Sequence, residues 1–361
     1  MVKKILAQFC VYSLFISCTT MNNHSIKGKL IKLDSLNYLD VSSIQSSKGG
    51  KIIFSSIIDK IGDDYSTYRT VLSEYDNSNH TFSSIGTISG KNYKSYSNEY
   101  DTFFINQVFK KDFLEDEETI IYKLSDKGEI IRLSNIGNSY LKFIYFNTEL
   151  EGFIVSREKG VYYINKTIDG GKSWNRLTKL ERFVGNSFLI RKEKLYYLSS
   201  ENNNLNNRIK SLDLKTLQTT EFKYLDGFSC EKFQIDASNS LIIFGKENNS
   251  TKLKIFNFET DTWEDDFQID KLLPYDMYIS KEFKVIITNQ VNESLLGGFG
   301  GTEYQMFVKN KNEQEWTTIE LPDKTYIKPY SLNSKSFIGY SGDNKITLVK
   351  WKLDIIPARP K

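Results

Sequence analysis

The chain has 361 residues, of which 39% are hydrophobic and 14% aromatic, enough apolar material for one or two globular domains. The net charge is +3, and the 48 basic and 45 acidic residues are mixed along the chain. This balance excludes the clustered basic surface of a nucleic-acid-binding protein, so we expect no nucleic acid among the partners.

The N-terminus has the pattern of a secretory signal. Two lysines precede the apolar run of residues 5–16, which is too short for an ordinary membrane span. The run ends in FISC, which resembles a bacterial lipobox, although leucine is commoner at the first of the four positions. The resemblance implies a signal peptide over residues 1–17, lipid attachment at Cys18 and a tether over residues 18–27. An ordinary signal peptide is the alternative.

The same resemblance implies where the protein is located. It would be exported and held by its lipid in the bacterial cell envelope, at the periplasmic or surface face of the outer membrane. Cys10 would leave with the signal and Cys18 would carry the lipid, so Cys230 would be the one remaining thiol. No internal disulfide is therefore expected, and stability must come from packing.

A unit of four short strands recurs along the body of the chain. In residues 140–177, short segments in which apolar and polar residues alternate are separated by polar turns. The segments show no helical period, and this pattern is typical of a four-stranded antiparallel sheet. The third strand, turn and fourth strand recur in five further units. The openings of the fourth strands are 43 to 53 residues apart, the spacing of propeller blades. The residues at these openings are Phe82, Ile131, Trp174, Thr220, Trp263 and Trp316.

Three of the four tryptophans stand at this one position, which predicts that each packs between neighbouring blades. Residues 27–34 form a lone alternating strand, whereas residues 326–354 offer only three strands. We therefore predict an all-β propeller of seven four-stranded blades, in which the N-terminal strand completes the last blade and leaves no free edge. Six blades with extra strands are the alternative. The propeller is predicted to be a single domain over residues 28–356, with a tail over 357–361.

The segment TIDGGKSW invites two interpretations. It is not a Walker A phosphate loop, because Lys166 stands where that loop requires its first glycine. It matches the Asp-box, Ser/Thr-x-Asp-x-Gly-x-Ser/Thr-Trp, and so resembles sialidase-like propellers with bacterial neuraminidase repeats. The longer unit is similar to the repeat of photosystem II assembly factor-like propellers. In those families the box lies on the outer rim, away from the ligand, which implies a structural role for Thr167, Asp169, Gly171, Ser173 and Trp174.

The sequence lacks the residues of several known catalytic sites. The Phe/Tyr-Arg-x-Pro motif of sialidases is absent, and no arginine lies between Arg208 and Arg359, so a three-arginine clamp is hard to assemble. The only histidines, His24 and His80, exclude a histidine metal site or a Ser-His-Asp triad. We expect no catalytic residue, no metal and no cofactor.

Other reactive residue types have structural interpretations. The acidic runs at residues 63–64, 115–118 and 264–266 are interpreted as solvated turns, although two carboxylates would suffice for a glycosidase. Cys230 is interpreted as a buried strand residue.

A GGFGG run is the unusual feature within a blade. It lies between the second and third strands of the sixth blade, where glycines allow close approach of a partner. Two interpretations of the run stay open: a simple strand connector, and a partner-contact loop at the ring face. The residues are Gly297, Gly298, Gly300 and Gly301.

Together these features predict a lipid-anchored envelope propeller that acts as a non-catalytic binding or scaffold module. Its partner would be a protein or a glycan held on a ring face. The alternatives are a glycoside hydrolase or lyase with carboxylate catalysis, and a periplasmic immunity or inhibitor lipoprotein. Convergent acidic and aromatic residues at one end of the channel would favour an enzyme, and an exposed aromatic or charged patch would favour a binder.

Overall fold

The computed structural model describes residues 52–57, 68–76, 81–97, 101–108, 118–125, 127–180, 187–199, 208–222, 227–236, 238–280, 283–290, 303–310 and 313–319 in full, and elsewhere only the backbone of the strands bounded below. Over these ranges the regular elements are strands. No helix in the described part is long and apolar enough to cross a membrane.

The described strands form seven sheets, six of four strands and one of five. Two short strands come first, β1 (Ser25–Ile26) and β2 (Lys29–Lys32). Each of the next six groups of four consecutive strands belongs to one sheet, as the repeat predicted, and the last three strands belong to the seventh sheet. Blade 1 contains β3 (Asp40–Ser46), β4 (Ile52–Ile58), β5 (Arg69–Asp76) and β6 (Thr81–Ser89). Blade 2 contains β7 (Lys91–Ser97), β8 (Thr102–Phe109), β9 (Glu117–Leu124) and β10 (Ile130–Asn135).

The next three blades repeat this order. Blade 3 contains β11 (Tyr140–Phe146), β12 (Gly152–Glu158), β13 (Val161–Thr167) and β14 (Asn175–Lys179). Blade 4 contains β15 (Phe188–Arg191), β16 (Lys194–Ser200), β17 (Asn207–Asp213) and β18 (Thr219–Glu221). Blade 5 contains β19 (Phe228–Ile235), β20 (Leu241–Glu247), β21 (Ser250–Asn257) and β22 (Thr262–Asp270).

The last two blades each take an N-terminal strand at the outer edge. Blade 6 contains β23 (Leu273–Ile279), β24 (Phe283–Val291), β25 (Thr302–Asn310) and β26 (Thr317–Ile319), with β1 parallel to β26. Blade 7 contains β27 (Ile327–Asn333), β28 (Ser336–Ser341) and β29 (Thr347–Lys352), with β2 antiparallel to β29.

The pairing of β2 with β29 confirms the predicted closure by an N-terminal strand. Lys29 lies opposite Lys352 and Lys32 lies opposite Val349. Residues 25–26, which the sequence analysis assigned to the tether, instead extend the sheet of blade 6. The single domain over residues 28–356 stays a prediction.

The hydrophobic core lies between neighbouring blades. Successive side chains of a strand point to opposite faces, so a middle strand that is covered on both faces reads as a continuous apolar run. In β8, Phe103 packs in the core shared with blade 3, whereas Phe104 packs in the core shared with blade 1. Both rings are fully buried, and each contributes about 1.5–3 kcal/mol by burial. Equivalent clusters join blades 3 to 4, 4 to 5 and 5 to 6.

The two faces of the ring differ in the connections that they carry. On the entry face each first strand begins, and the second strand is joined to the third. On the turn face the first strand is joined to the second, and the third to the fourth. In blade 3 the entry-face connection is the two-residue turn Lys159-Gly160, with φ of 47° and 83°, as a tight hairpin requires. On the turn face of the same blade, the connection between the third and fourth strands holds residues 168–174.

Candidate functional site

The segment Thr167–Trp174 forms a hydrogen-bonded turn on the turn face of blade 3. The Thr167 hydroxyl donates to Asp169 Oδ1 over 2.7 Å and accepts the Gly171 N–H over 3.0 Å. Asp169 Oδ1 also accepts the Ser173 N–H over 3.0 Å, and Oδ2 accepts the Ser173 hydroxyl over 2.6 Å. These bonds are all internal to the turn. They are the local bonds that Asp and Thr make in turns, and they give the segment a structural explanation without a ligand.

The same bonds change the acidity of the turn. The hydroxyl and N–H of Ser173, followed by the hydroxyl of Thr167, hold the pKa of the Asp169 carboxyl well below its usual range. Hydrogen bonds to the charged form of a carboxyl favour that form. Asp169 is thus fixed as an anion that accepts hydrogen bonds, and such a group is a poor proton donor.

The tryptophans at the openings of the fourth strands bridge neighbouring blades, as predicted. Trp174 Nε1 of blade 3 donates to Ser134 Oγ of blade 2 over 3.2 Å. Trp316 Nε1 of blade 6 donates to the Asp266 carbonyl of blade 5 over 2.7 Å. Trp263 of blade 5 packs against the core that blades 4 and 5 share.

Other predicted positions are located as follows. Cys18 lies outside the described residues, as do Gly297, Gly298, Gly300 and Gly301, which belong to the entry-face connection between β24 and β25.

Cys230 is buried in the core between blades 4 and 5, and its thiol donates to the Lys232 carbonyl. Burial, followed by the charge of Glu231, raises the pKa of this thiol far above its usual range. Cys230 is therefore an unreactive core residue.

The acidic run at residues 264–266 was interpreted wrongly as a solvated turn. It lies within β22, and the Asp266 side chain is only 9% exposed. Asp266 joins blade 5 to blade 6 through Lys284 at 2.8 Å and Lys309 at 2.5 Å. Its neighbour Asp265 pairs with Lys254 at 2.7 Å. These carboxylates hold strands together. No group of three potential metal-ligating side chains occurs among the described residues.

A second group of side chains forms a row at the opposite end of blade 3, on the entry face. Arg157 of β12 lies directly opposite Tyr140 of β11 and Tyr162 of β13. Residues directly opposite each other in a sheet share one face, so the three side chains are neighbours. The Arg157 guanidinium lies over the Tyr162 ring, 5.6 Å from its centroid. The row is about 17 Å from Thr167, five residues along β13.

Blade 2 and a β-bulge complete this row. Lys142 is the extra residue of a bulge between β11 and β12, and its ammonium lies 4.9 Å from the centroid of the Tyr140 ring. Tyr93 is the extra residue at the same place in β7, and its ring stacks on Tyr140 at 4.9 Å. Bulges redirect side chains, which explains how both residues reach Tyr140. We call Tyr93, Tyr140, Lys142, Arg157 and Tyr162 the entry-face row.

Hydrogen bonds between the blades fix the row in place. The Tyr93 hydroxyl accepts the Leu141 N–H over 2.9 Å. The Lys94 ammonium donates to the carbonyl of Lys142. Both bonds join a side chain of β7 in blade 2 to the backbone of β11 in blade 3, so side chains of blade 2 hold the backbone of the bulge beside Tyr140. The two-residue turn Lys159-Gly160 keeps the connection of blade 3 itself short at this point.

The row combines positive charge with exposed aromatic surface. Burial, followed by the charge of Arg157, lowers the pKa of the Lys142 ammonium. Burial, followed by the neighbouring Tyr162, raises the pKa of Tyr140. Arg157 is exposed, and Tyr140 is 40% exposed. Such a site can bind an anionic group and pack apolar groups beside it.

The sequence analysis missed this row because its members are distant in sequence. Tyr140, Arg157 and Tyr162 meet only through the register of three strands, and Tyr93 comes from another blade. The signal that was present is the hairpin itself: Arg157 and Tyr162 are placed symmetrically about the Lys159-Gly160 turn. The patch is of the kind that was expected to mark a binding protein.

The comparisons support the fold and leave the family open. No protein-family model matches the sequence, and a search of curated proteins found no match. Among solved structures, the fold is similar to YCF48 bound to D1 peptide, with a TM-score of 0.58 and 10% identity over 92% of this chain and 97% of that chain. It is also similar to an oligogalacturonate lyase in complex with manganese, with a TM-score of 0.62 and 8% identity over 91% and 97%.

A third similar structure is the β-propeller domain of the Trilobed protease from Pyrococcus furiosus, with a TM-score of 0.55 and 10% identity over 86% of this chain and 96% of that chain. At identities this low the likeness shows the propeller fold alone. A binding protein, a lyase and a protease share it, because one fold supports many functions.

Proposed function

We propose that the protein is a non-catalytic binding module, which holds a segment of a partner protein on its entry face. The observation that carries the proposal is the entry-face row, a group of aromatic and cationic side chains held by two blades, in which Tyr140 and Arg157 are exposed and the other three are half-buried. Aromatic residues and arginine are the residue types enriched where proteins bind one another. The similarity to YCF48, whose structure was solved with a bound peptide, is consistent with a protein partner.

A photo-crosslinking experiment in the native cells tests this proposal. A benzoylphenylalanine at position 140 reports on the entry face, and the same group at Ile168, which is 69% exposed, reports on the turn face. We expect position 140 to give a discrete protein adduct, identified by mass spectrometry, and position 168 to give none. The reverse pattern, or equal adducts at both positions, contradicts the proposal.

We further propose that a lipid on Cys18 anchors the module in the bacterial cell envelope. The support comes from the lipobox-like FISC sequence and from the position of β1. Seven residues lead from Cys18 to Ser25, so a fully extended tether reaches about 25 Å. The outer edge of blade 6 would then lie close to the membrane surface.

Metabolic labelling with a clickable fatty acid tests the anchor. We expect the wild-type chain to be labelled and to fractionate with the envelope, and Cys18→Ser to lose both properties. Cys10→Ser is the matched control, because Cys10 lies within the predicted signal peptide. Label that persists in Cys18→Ser refutes the anchor and leaves the binding proposal untouched.

The similarity of the blade 3 unit to Asp-box repeats is also part of the proposal. The internal hydrogen bonds of Thr167, Asp169 and Ser173 support a structural role for this turn. The module would thus keep the turn face for stability and use the opposite face for its partner.

A further inference from the structure

We infer that the entry-face row is a carboxylate-binding site for an acidic segment of the partner, with Arg157 as its principal ligand-binding side chain. This inference rests on the proposed function and adds the chemistry of the segment that is bound. It follows from three features of the row: Arg157 has no carboxylate partner among the described residues, Lys142 supplies a second positive charge, and tyrosine rings lie beside both.

Arg157 is exposed and, unlike Arg176 and Arg208, has no carboxylate partner among the described residues. Arg176 pairs with Glu158 at 2.6 Å, and Arg208 pairs with Glu221 at 3.3 Å. Within the part of the chain that the structure describes, no ion pair reaches Arg157. A planar guanidinium that is exposed and held by a ring presents its remaining N–H donors to an incoming carboxylate, with which it can form two parallel hydrogen bonds.

The second cation strengthens the preference for an anion. The pKa of Lys142 is lowered by burial and by the charge of Arg157, so the two cations repel each other at neutral pH. A bound carboxylate between them would relieve this repulsion. The site therefore favours a negatively charged group over a neutral group of the same shape.

The rings indicate a peptide as the source of the carboxylate. Tyr140 is 40% exposed, and it lies between the stacked ring of Tyr93 and the row of Arg157 and Tyr162. This arrangement offers apolar surface beside the cations, which suits an Asp or Glu followed by an apolar side chain. Attraction to an anionic membrane instead depends on a cluster of several basic residues, and the row contains only two.

Selection from a random octapeptide phage library on the immobilised full-length protein tests the inference. We expect the wild-type chain to enrich peptides with Asp or Glu beside an apolar residue. Synthetic versions of those peptides with Asn or Gln should bind about tenfold more weakly or worse, as expected for loss of a charged hydrogen-bond partner. Enrichment without acidic residues, or no enrichment, overturns the inference.

Matched variants decide whether Arg157 is responsible. Arg157→Gln should lose the acidic preference, and Arg157→Lys should keep the charge but lose most of the affinity. Arg176→Gln removes one positive charge from the same blade outside the row, and it should select the same peptides as the wild type. Equal behaviour of Arg157→Gln and Arg176→Gln overturns the inference.

Two further outcomes separate this inference from the proposed function. If Arg157→Gln leaves the adduct at position 140 unchanged in cells, the entry face binds a partner but not through Arg157. If the chain binds phosphatidylglycerol vesicles in an Arg157-dependent manner and selects no acidic peptide, the row contacts a membrane and the inference is wrong.

Discussion

At the scale of single residues, the turn of blade 3 depends on a glycine with a positive φ. Gly171 has a φ of 89°, and its N–H donates to the Thr167 hydroxyl. A Cβ added there would lie 3.2 Å from the Phe146 ring and 3.4 Å from the Trp174 ring. The backbone conformation and the packing of the tryptophan therefore both require glycine at this position.

Replacing Gly171 with alanine should destabilise the protein more than the same change in the neighbouring blade. Gly128 occupies the corresponding third-to-fourth-strand turn of blade 2, with a φ of 81° and no atom within 4 Å of an added Cβ. Gly128→Ala should cost about 1 kcal/mol, for the backbone conformation alone. Gly171→Ala should cost about 2 kcal/mol or more, because the added methyl group also overpacks the site. Urea unfolding of both variants measures the difference, and equal values would show that packing plays no part.

At the scale of strands, the blades are joined by polar contacts as well as by apolar cores. Asp266 of β22 contacts Lys284 of β24 and Lys309 of β25, and its carbonyl accepts the Trp316 indole. Burial raises the pKa of the Asp266 carboxyl, but the hydrogen bonds and charges of the two lysines outweigh burial and lower it overall. Asp266 is therefore a charged link between blades 5 and 6.

Replacing Asp266 with asparagine should cost about 3 kcal/mol at neutral pH, as expected for breaking a buried ion pair. Asp265→Asn is the matched control: the Asp265 side chain is 55% exposed, and its loss should cost less than about 1 kcal/mol. The pKa of Asp266 is lower in the folded state than in the unfolded state. Its ionic contribution to the free energy of unfolding is therefore fully present above the pKa of the unfolded state, about 3.9. This contribution is lost as the pH falls through the pKa of Asp266 in the folded state.

Urea unfolding over a pH series measures this dependence. The difference in free energy of unfolding between wild type and Asp266→Asn should shrink steadily below about pH 4. A difference that is independent of pH would mean that the variant acts through packing and not through charge.

The order of strands could be predicted from sequence, because alternation and turn residues are local properties. The strands on either side of Thr167–Trp174 illustrate this success. The environment of Asp266 could not be predicted in the same way, since its lysines come from the next blade. The entry-face row depends on the register of β11, β12 and β13 and on bulges at Tyr93 and Lys142. Such contacts depend on the register of paired strands and on the packing of neighbouring blades. These bring together residues that are distant in sequence, so a local sequence pattern does not predict them.

At the scale of the whole molecule, ring closure depends on chain segments from opposite ends. β2 pairs with β29 through four residue pairs, from Lys29–Lys352 to Lys32–Val349. β1 adds two pairs at the edge of blade 6, so one N-terminal segment covers the outer edges of two neighbouring blades. Without it, β26 and β29 would both present unpaired N–H and C=O groups at a sheet edge.

Truncation at two points separates closure from the rest of the N-terminus. A chain that lacks residues 1–33 loses β1 and β2, whereas a chain that lacks residues 1–24 keeps both. The longer deletion should lower the free energy of unfolding by on the order of 3 kcal/mol, and the shorter one should leave it unchanged.

A synthetic peptide of residues 25–34 then provides a test in trans. Since a ligand that binds only the folded state stabilises that state by mass action, the peptide should raise the urea midpoint of the longer truncation. It should have no effect on the shorter truncation, whose edges are already paired. Equal midpoints for the two truncations, or a peptide effect on both, would mean that the ring is stable without the N-terminal strands. The strong coupling that we expect here is the consequence of closing a ring with strands that are far apart in sequence: β2 cannot pair with β29 until the strands of blade 7 have been made.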